Sequence, residues 1–366
     1  MRGIVALLGM GVSVCFAACE VADETSETAH TGASAQELSL VPQPPWPAGD
    51  ERGMGNTQGY GTRLRCLPYL IHPFAKPYEL SHMRSPTMPA NPFSTPLEYD
   101  YRPTSSAPFS RHAFNGETIC GEITGQGTQF DALGHFAEMQ DIWDPGAGDP
   151  PVANASYYGG FTQQDVKPTP DSPLLKLGVE KAPPILTSAV LLNARKYLGG
   201  GQRLQAGQLI TKANIQSMLA AQGLGRRGLL PGDALYIYTG WEDFWEDPDT
   251  TGEYYSKGPG LSVDAIHYLA SKAIVLVGLD VPFIDAVNDG QLQGTSPPPS
   301  DRPQGLPFYV HHYALSKAGI HLIENAHLEE MAEDSVWLSC TIVLPLRERG
   351  ASGSPVRPVA YGTSLH

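Results

Sequence analysis

Two short unbroken apolar runs, "SAVLLNA" at 188–194 and "AIVLVGLD" at 273–280, constrain most strongly what this 366-residue chain can fold into. Both are rich in β-branched residues, and a strand that is apolar on both sides has to be covered on both faces. "PGDALYIYTGW" at 231–241 reads as a turn followed by a third strand. Between the runs, "TKANIQSMLAAQG" at 211–223 opens on a capping Thr211, repeats apolar residues at helical spacing and stops at Gly223. "SVDAIHYLASKA" at 262–273 is a second capped helix that leads straight into the 273–280 strand. Helices alternating with buried strands place the chain in the α/β class. The proline-rich pieces at 144–173 and 285–307 are long for connections in a compact domain, and they are expected to wall a site.

The first residues read as targeting rather than fold. Residues 4–18 (IVALLGMGVSVCFAA) are almost unbroken in apolarity, too short to span a bilayer comfortably, and Cys19 follows two alanines. "FAAC" resembles a bacterial lipoprotein cleavage box, so residues 1–18 are expected to be a signal peptide. Cys19 is then the lipidated residue and 19–55 a disordered tether rich in Glu, Thr, Ser, Ala, Pro and Gly. The folded domain is expected over 56–366, in an exported protein anchored to the bacterial membrane, periplasmic or at the cell surface, with ordinary secretion as the alternative. Membrane contact is expected only through that anchor. With 38 acidic against 24 basic residues the formal charge is −14, which repels phosphate backbones and argues against a nucleic-acid partner. Of five cysteines, Cys66, Cys120 and Cys340 remain beyond the leader without any C-x-x-C spacing. Export permits a disulfide, for which Cys66 with Cys120 is the first pairing to consider, but the odd count of three leaves buried inert thiols as the default reading.

The chemistry lies in two stretches. In "GQGTQFDALGHF" at 125–136, an extended backbone points Gln129, Asp131, Leu133 and His135 to one face, whereas a helix after Phe130 makes Asp131 and His135 neighbours at i, i+4. Either backbone brings the carboxylate to the imidazole, a pairing that binds a divalent cation or orients a general base. The structural alternative is a turn-capping aspartate and a satisfied core histidine. In "HHYALSKAGIHLIEN" at 311–325, His312 begins a short helical pattern that Gly319 can close, and "IHLIE" alternates as a strand with Ile320, Leu322 and Glu324 on one face. A carboxylate on the apolar face of a strand is costly unless it meets a cation. The turn at Gly319 can return Glu324 toward His312, and a metal would supply that cation.

These stretches resemble the signature segments of the cyclase family of metal-dependent hydrolases, which includes bacterial kynurenine formamidase, isatin hydrolase and trans-dienelactone hydrolase. Gly127, Thr128, Asp131 and His135 match its motif H-x-G-T-H-x-D-x-P-x-H. His312, Gly319, Ile320, Glu324 and Asn325 match its later histidine followed twelve residues on by glutamate. Three positions depart, since Gly125 and Gln129 stand where the family has histidines and Leu133 where it has proline. The resemblance implies a single swivelling β/β/α domain and one divalent metal, zinc before manganese, held by Gln129, Asp131, His312 and Glu324. His135 is then the general base, with Glu324 ambiguous between ligand and proton shuttle. Thr128 is expected to fix the turn beside the substrate pocket and Trp241 to wall it, each with a purely structural alternative. His112 is the candidate substitute for the missing histidine ligand, while Asp280, His267, His321 and His327 read as ordinary structural residues. The activity implied is hydrolysis of an amide or lactone in a small carbonyl substrate, like the arylformamidase of tryptophan breakdown, by a homo-oligomer. A catalytically silent binding protein and a metal-dependent isomerase or dehydratase are the alternatives.

Overall fold

The computed structural model describes residues 40–364, so the expected signal peptide, lipidated Cys19 and most of the expected tether lie outside the described residues. Among the described residues the core is a nine-stranded mixed sheet. Its strands in chain order are β1 (Lys76–Glu79), β2 (Gln129–Asp131), β3 (Ile185–Asn193), β4 (Ala234–Tyr238), β5 (Leu276–Leu279), β6 (His321–Glu324), β7 (Leu338–Val343), β8 (Gly353–Pro355) and β9 (Val359–Gly362). Across the sheet they run β1-β9-β7-β3-β4-β5-β6-β2-β8. The central strands β3, β4, β5 and β6 are parallel, and every other pairing within this sheet is antiparallel. The two apolar runs became β3 and β5 in that parallel centre, where burial on both faces accounts for their unbroken apolarity.

Helix α1 (Tyr60–Leu70) packs against β3, β7 and β9. Helix α2 (Lys212–Ala221) is capped by Thr211, whose hydroxyl accepts from the Asn214 amide, and α3 (Val263–Ser271) is capped in the same way by Ser262. Both helices end before the expected limits, because Gly223 and Ala273 take left-handed backbone conformations, with φ of 75° and 52°. A short helix α4 (Tyr309–Tyr313) runs into a π-helical turn over Ala314–Ala318, and Gly319, with φ 67°, reverses the chain into β6.

Two expectations are corrected. The expected tether does not extend to residue 55: Val41 and Met54 are buried, Met54 N–H donates to Gly319 O at 2.7 Å, and Gly53–Thr57 forms a 3-10 turn. A proline-rich, weakly periodic segment can still pack when its few apolar side chains meet an existing surface. The disulfide joins Cys66 in α1 to Cys340 in β7, with 4.8 Å between Cα atoms, and Cys120 is free and exposed. Cys66 could not pair with Cys120, because β7 lies directly under α1 whereas Cys120 sits on a separate two-stranded ribbon.

The bridge closes a loop of 274 residues. Removing it by Cys66→Ala with Cys340→Ala is expected to cost about 2–5 kcal/mol of stability. Urea unfolding with and without reductant measures this, and coincident transitions would mean that the bond does not form in solution.

Candidate metal centre

Antiparallel pairing of β2 with β6 builds the site. Glu324 lies directly opposite Gln129 and Leu322 opposite Asp131, so Gln129, Asp131 and Glu324 project from one face of the sheet. Gln129 Nε2 donates to Glu324 Oε2 at 2.8 Å and reaches Asp131 Oδ1 at 3.4 Å. From α4, His311 closes the group: its Nε2 lies 2.8 Å from Glu324 Oε1 and 3.7 Å from Asp131 Oδ2. One donor atom each from Asp131, His311 and Glu324 lie within 4.8 Å of one another, and all three residues are buried.

A second layer aims the histidine. Asp285 Oδ2 pairs with His311 Nδ1 at 2.8 Å, and the two carboxylate oxygens also accept from the Val310 and His311 backbone amides. Arg302, its side chain 1% exposed, sits 3.2 Å from Asp285 Oδ1. With Nδ1 committed to Asp285, Nε2 is the atom presented to the cluster.

The charges do not balance without a further cation. Three carboxylates face one imidazole and one guanidinium that also pairs with Asp301, and both Asp131 Oδ2 and Gln129 Oε1 are buried without a hydrogen-bond partner. Unpartnered buried oxygens are rare and costly. Burial opposes charge on His311, but Glu324 and Asp285 outweigh it and hold that imidazole well above the ordinary histidine value. Burial also pushes the Asp131 carboxyl up to about 6, with His135 and His311 opposing and Glu324 adding to the rise. A divalent ion among these oxygens and Nε2 would satisfy the orphaned atoms, and a set mixing carboxylate and imidazole suits zinc or manganese.

The cluster floors a cavity of about 320 Å³ whose walls include Phe93, Phe136, Phe283, Phe308 and His135. After Asp131 the backbone leaves the strand for a 3-10 turn over Leu133–His135, so neither the fully extended nor the α-helical alternative holds. Leu133 turns into the core and His135 faces the cavity. Surrounding protein lowers the His135 pKa, with Asp131 opposing and His311 adding to the fall, although the residue is exposed, which limits that desolvation.

Several expected residues fall elsewhere. His312 is turned away, its Nε2 3.8 Å from Glu138 on the wall of an adjoining cavity that shares Phe136 and Phe308 with this one. Successive helical residues point about 100° apart, and the π turn inserts one extra residue between the histidine and Glu324, so the inward position passes to His311. Thr128 does not line the Asp131 cavity. Its hydroxyl donates to Asn325 O at 2.5 Å and accepts from His82 N–H at 3.0 Å, tying the turn before β2 to the end of β6. Trp241 does not line it either, being buried with Nε1 donating to Tyr254 O. His112 is exposed and neither lines the cavity nor joins the cluster. Asp280 is structural, accepting from the Thr239 and Gly240 amides at 2.8 and 2.7 Å. Gly125 lines the cavity, but Ser94 Oγ fills the volume a side chain there would need, 2.2 Å from its ideal Cβ. Nothing local marked His311, Asp285 or Arg302. Only the pairing of two adjacent histidines could have raised His311 as the alternative to His312.

A family model described as "Putative cyclase" matches residues 78–286, a span holding Asp131 and His135 but ending before His311 and Glu324. Kynurenine formamidase of Bacillus cereus is 36% identical over 101 residues, 28% of this chain and 39% of that protein. The Bacillus mycoides enzyme of the same name is 35% identical over the same length. The chain thus matches 39% of the length of these curated relatives. Among solved structures, one described as a novel cyclase aligns with a TM-score of 0.68 at 23% identity, over 86% of this chain and 96% of that one. An isatin hydrolase bound to the product analogue thioisatinate aligns at 0.50 and 17% identity, over 78% and 92%. Both likenesses establish a shared fold.

Asp285→Asn keeps the shape of the second layer but removes the charge that orients His311. Chelator competition should show metal affinity falling by about 10–100-fold. Unchanged affinity would exclude Asp285 from the centre.

Proposed function

From the premise that this chain belongs to the cyclase family, we propose that it is a metal-dependent hydrolase opening an amide or lactone bond in a small aromatic or cyclic carbonyl compound. The observation that carries this reading is the buried Asp131–His311–Glu324 cluster with its orphaned oxygens, flooring an aromatic cavity that also holds an imidazole. Asp131, His311, Glu324 and Gln129 Oε1 would hold a single divalent ion, zinc before manganese, which supplies carbonyl polarisation and acidifies water. His135 takes the proton of the attacking water and returns it to the leaving nitrogen or oxygen. Glu324 serves as a ligand here, since both of its oxygens are engaged within the cluster. Phe93, Phe283 and Phe308, with adjacent rings 5.8–6.1 Å apart, form a wall that suits a flat ring. At about 320 Å³ the cavity matches a small molecule. Relatives named kynurenine formamidase make N-formyl aryl amides the first class to assay.

We further assign the domain the swivelling β/β/α arrangement of its family and a homo-oligomeric state. Export with lipidation at Cys19 is supported by the apolar run at 4–18 and by a disulfide, which persists in oxidising compartments.

Elemental analysis with a panel of N-formyl amides, lactones and isatin-like rings tests the assignment. Asp131→Ala should lose the one equivalent of metal held by this cluster. His135→Ala should keep it while turnover falls about 10²–10⁴-fold. Because its surroundings lower its pKa, the His135-dependent limb of the wild-type rate profile should fall on the acid side of 6.5. A wild-type protein that is metal-free yet binds these compounds would instead be a ligand trap, and full turnover by His135→Ala would exclude the base.

A further inference from the structure

A second constellation stands apart from the Asp131 centre, where three connections meet. The chain after β1 pairs with the chain after β6 through a bridge of Ser81 with Ala326, and His327 N–H donates to Leu80 O at 3.1 Å. This pairing sets the rings of His82 and His327 4.9 Å apart between centroids. The 3-10 turn Trp241–Phe244 beyond β4 brings in Glu242, whose side chain is 3% exposed. Its Oε1 accepts from Leu328 N–H at 2.9 Å, which aims Oε2 at both histidines, 2.6 Å from His327 Nδ1 and 3.8 Å from His82 Nε2. Trp245 stacks face to face on the His82 ring at 4.3 Å and holds its orientation.

An ion pair accounts for Glu242 with His327 but not for His82. The His82 side chain is 8% exposed, and its Nε2 is buried without any hydrogen-bond partner, facing a carboxylate oxygen too distant to bond. A ring pinned by stacking, with a lone nitrogen aimed at a buried carboxylate, has the form of a ligand lacking its ion.

We propose that His82, Glu242 and His327 form a second divalent-metal site, independent of the Asp131 centre. One donor atom from each already lies within 4.8 Å of the others. Ligand atoms on a tetrahedral ion with bonds of about 2.0–2.2 Å lie about 3.3–3.6 Å apart, so shifts of a few tenths of an ångström to about an ångström complete the geometry. Two imidazoles and one carboxylate select a zinc-class ion over magnesium or calcium. Both histidines line a cavity of about 880 Å³ with Ser81, Arg84 and Thr128, which shares no lining residue with the Asp131 cavity. An ion held by the three side chains would clasp the three connections together beside that cavity.

Cobalt(II) added to chelator-stripped protein tests this directly, because a tetrahedral site with nitrogen donors gives visible absorption. Wild-type protein should bind two equivalents, and Asp131→Ala should retain one with its visible bands. In the Asp131→Ala background, His82→Ala or His327→Asn should weaken that remaining equivalent by at least about 100-fold. His327 is the safer position, since its side chain is 35% exposed and its replacement leaves the core intact. Circular dichroism confirms that each variant is folded. If the Asp131→Ala protein binds no cobalt, or if its cobalt survives both histidine changes, the second site is overturned. A single wild-type equivalent that disappears in Asp131→Ala sinks this proposal and spares the Asp131 reading; a His327-dependent equivalent in protein whose cobalt binding is unchanged by Asp131→Ala does the reverse.

Discussion

The structure around the site depends on buried carboxylates that need a cation. Asp131 and Glu324 on the sheet, and Asp285 in the connection behind it, are each at most 3% exposed. An uncompensated ionised group in such surroundings costs several kcal/mol, and breaking a buried pair costs about 3–5 kcal/mol. His311 and Arg302 offset most of that charge, but Asp131 Oδ2 and Gln129 Oε1 remain without partners. The donor atoms are thus already gathered, with two buried oxygens left over that a divalent ion would satisfy. Gln129 has a clear role in it. An amide directly across the strand pair from Glu324 supplies an oxygen for a cation and an N–H for the carboxylate, and it adds no further charge.

The segment ending β6 joins this site to the second cluster. Glu324 belongs to the first and His327, three residues on, to the second. Between them Asn325 takes a left-handed conformation, φ 56°, and its Nδ2 donates to Gly127 O at 2.8 Å while its own carbonyl accepts from Thr128. That crossed pair of bonds locks the turn before β2 to the end of β6, so the register placing Glu324 opposite Gln129 also fixes His327 beside Glu242. Thr128 and Asn325 thus position both clusters without lining the Asp131 cavity. Asparagine tolerates this backbone better than branched side chains do.

The chain alone determined much of this. The apolar runs marked the strands of the parallel centre, capping hydroxyls at Thr211 and Ser262 marked two helices, and the motif residues Gln129, Asp131, His135 and Glu324 do converge on one cavity. Those features are written over a few neighbouring residues, where periodicity and side-chain chemistry act locally. Tertiary structure alone decided the rest. It replaced His312 by His311 through one inserted residue in a π turn, recruited Asp285 and Arg302 as the layer behind it, paired Cys66 with Cys340, and withdrew Trp241 into the core. Each of these depends on which distant segment packs alongside and on a register in which a single residue turns a side chain by about 100°. No short stretch of sequence carries that register.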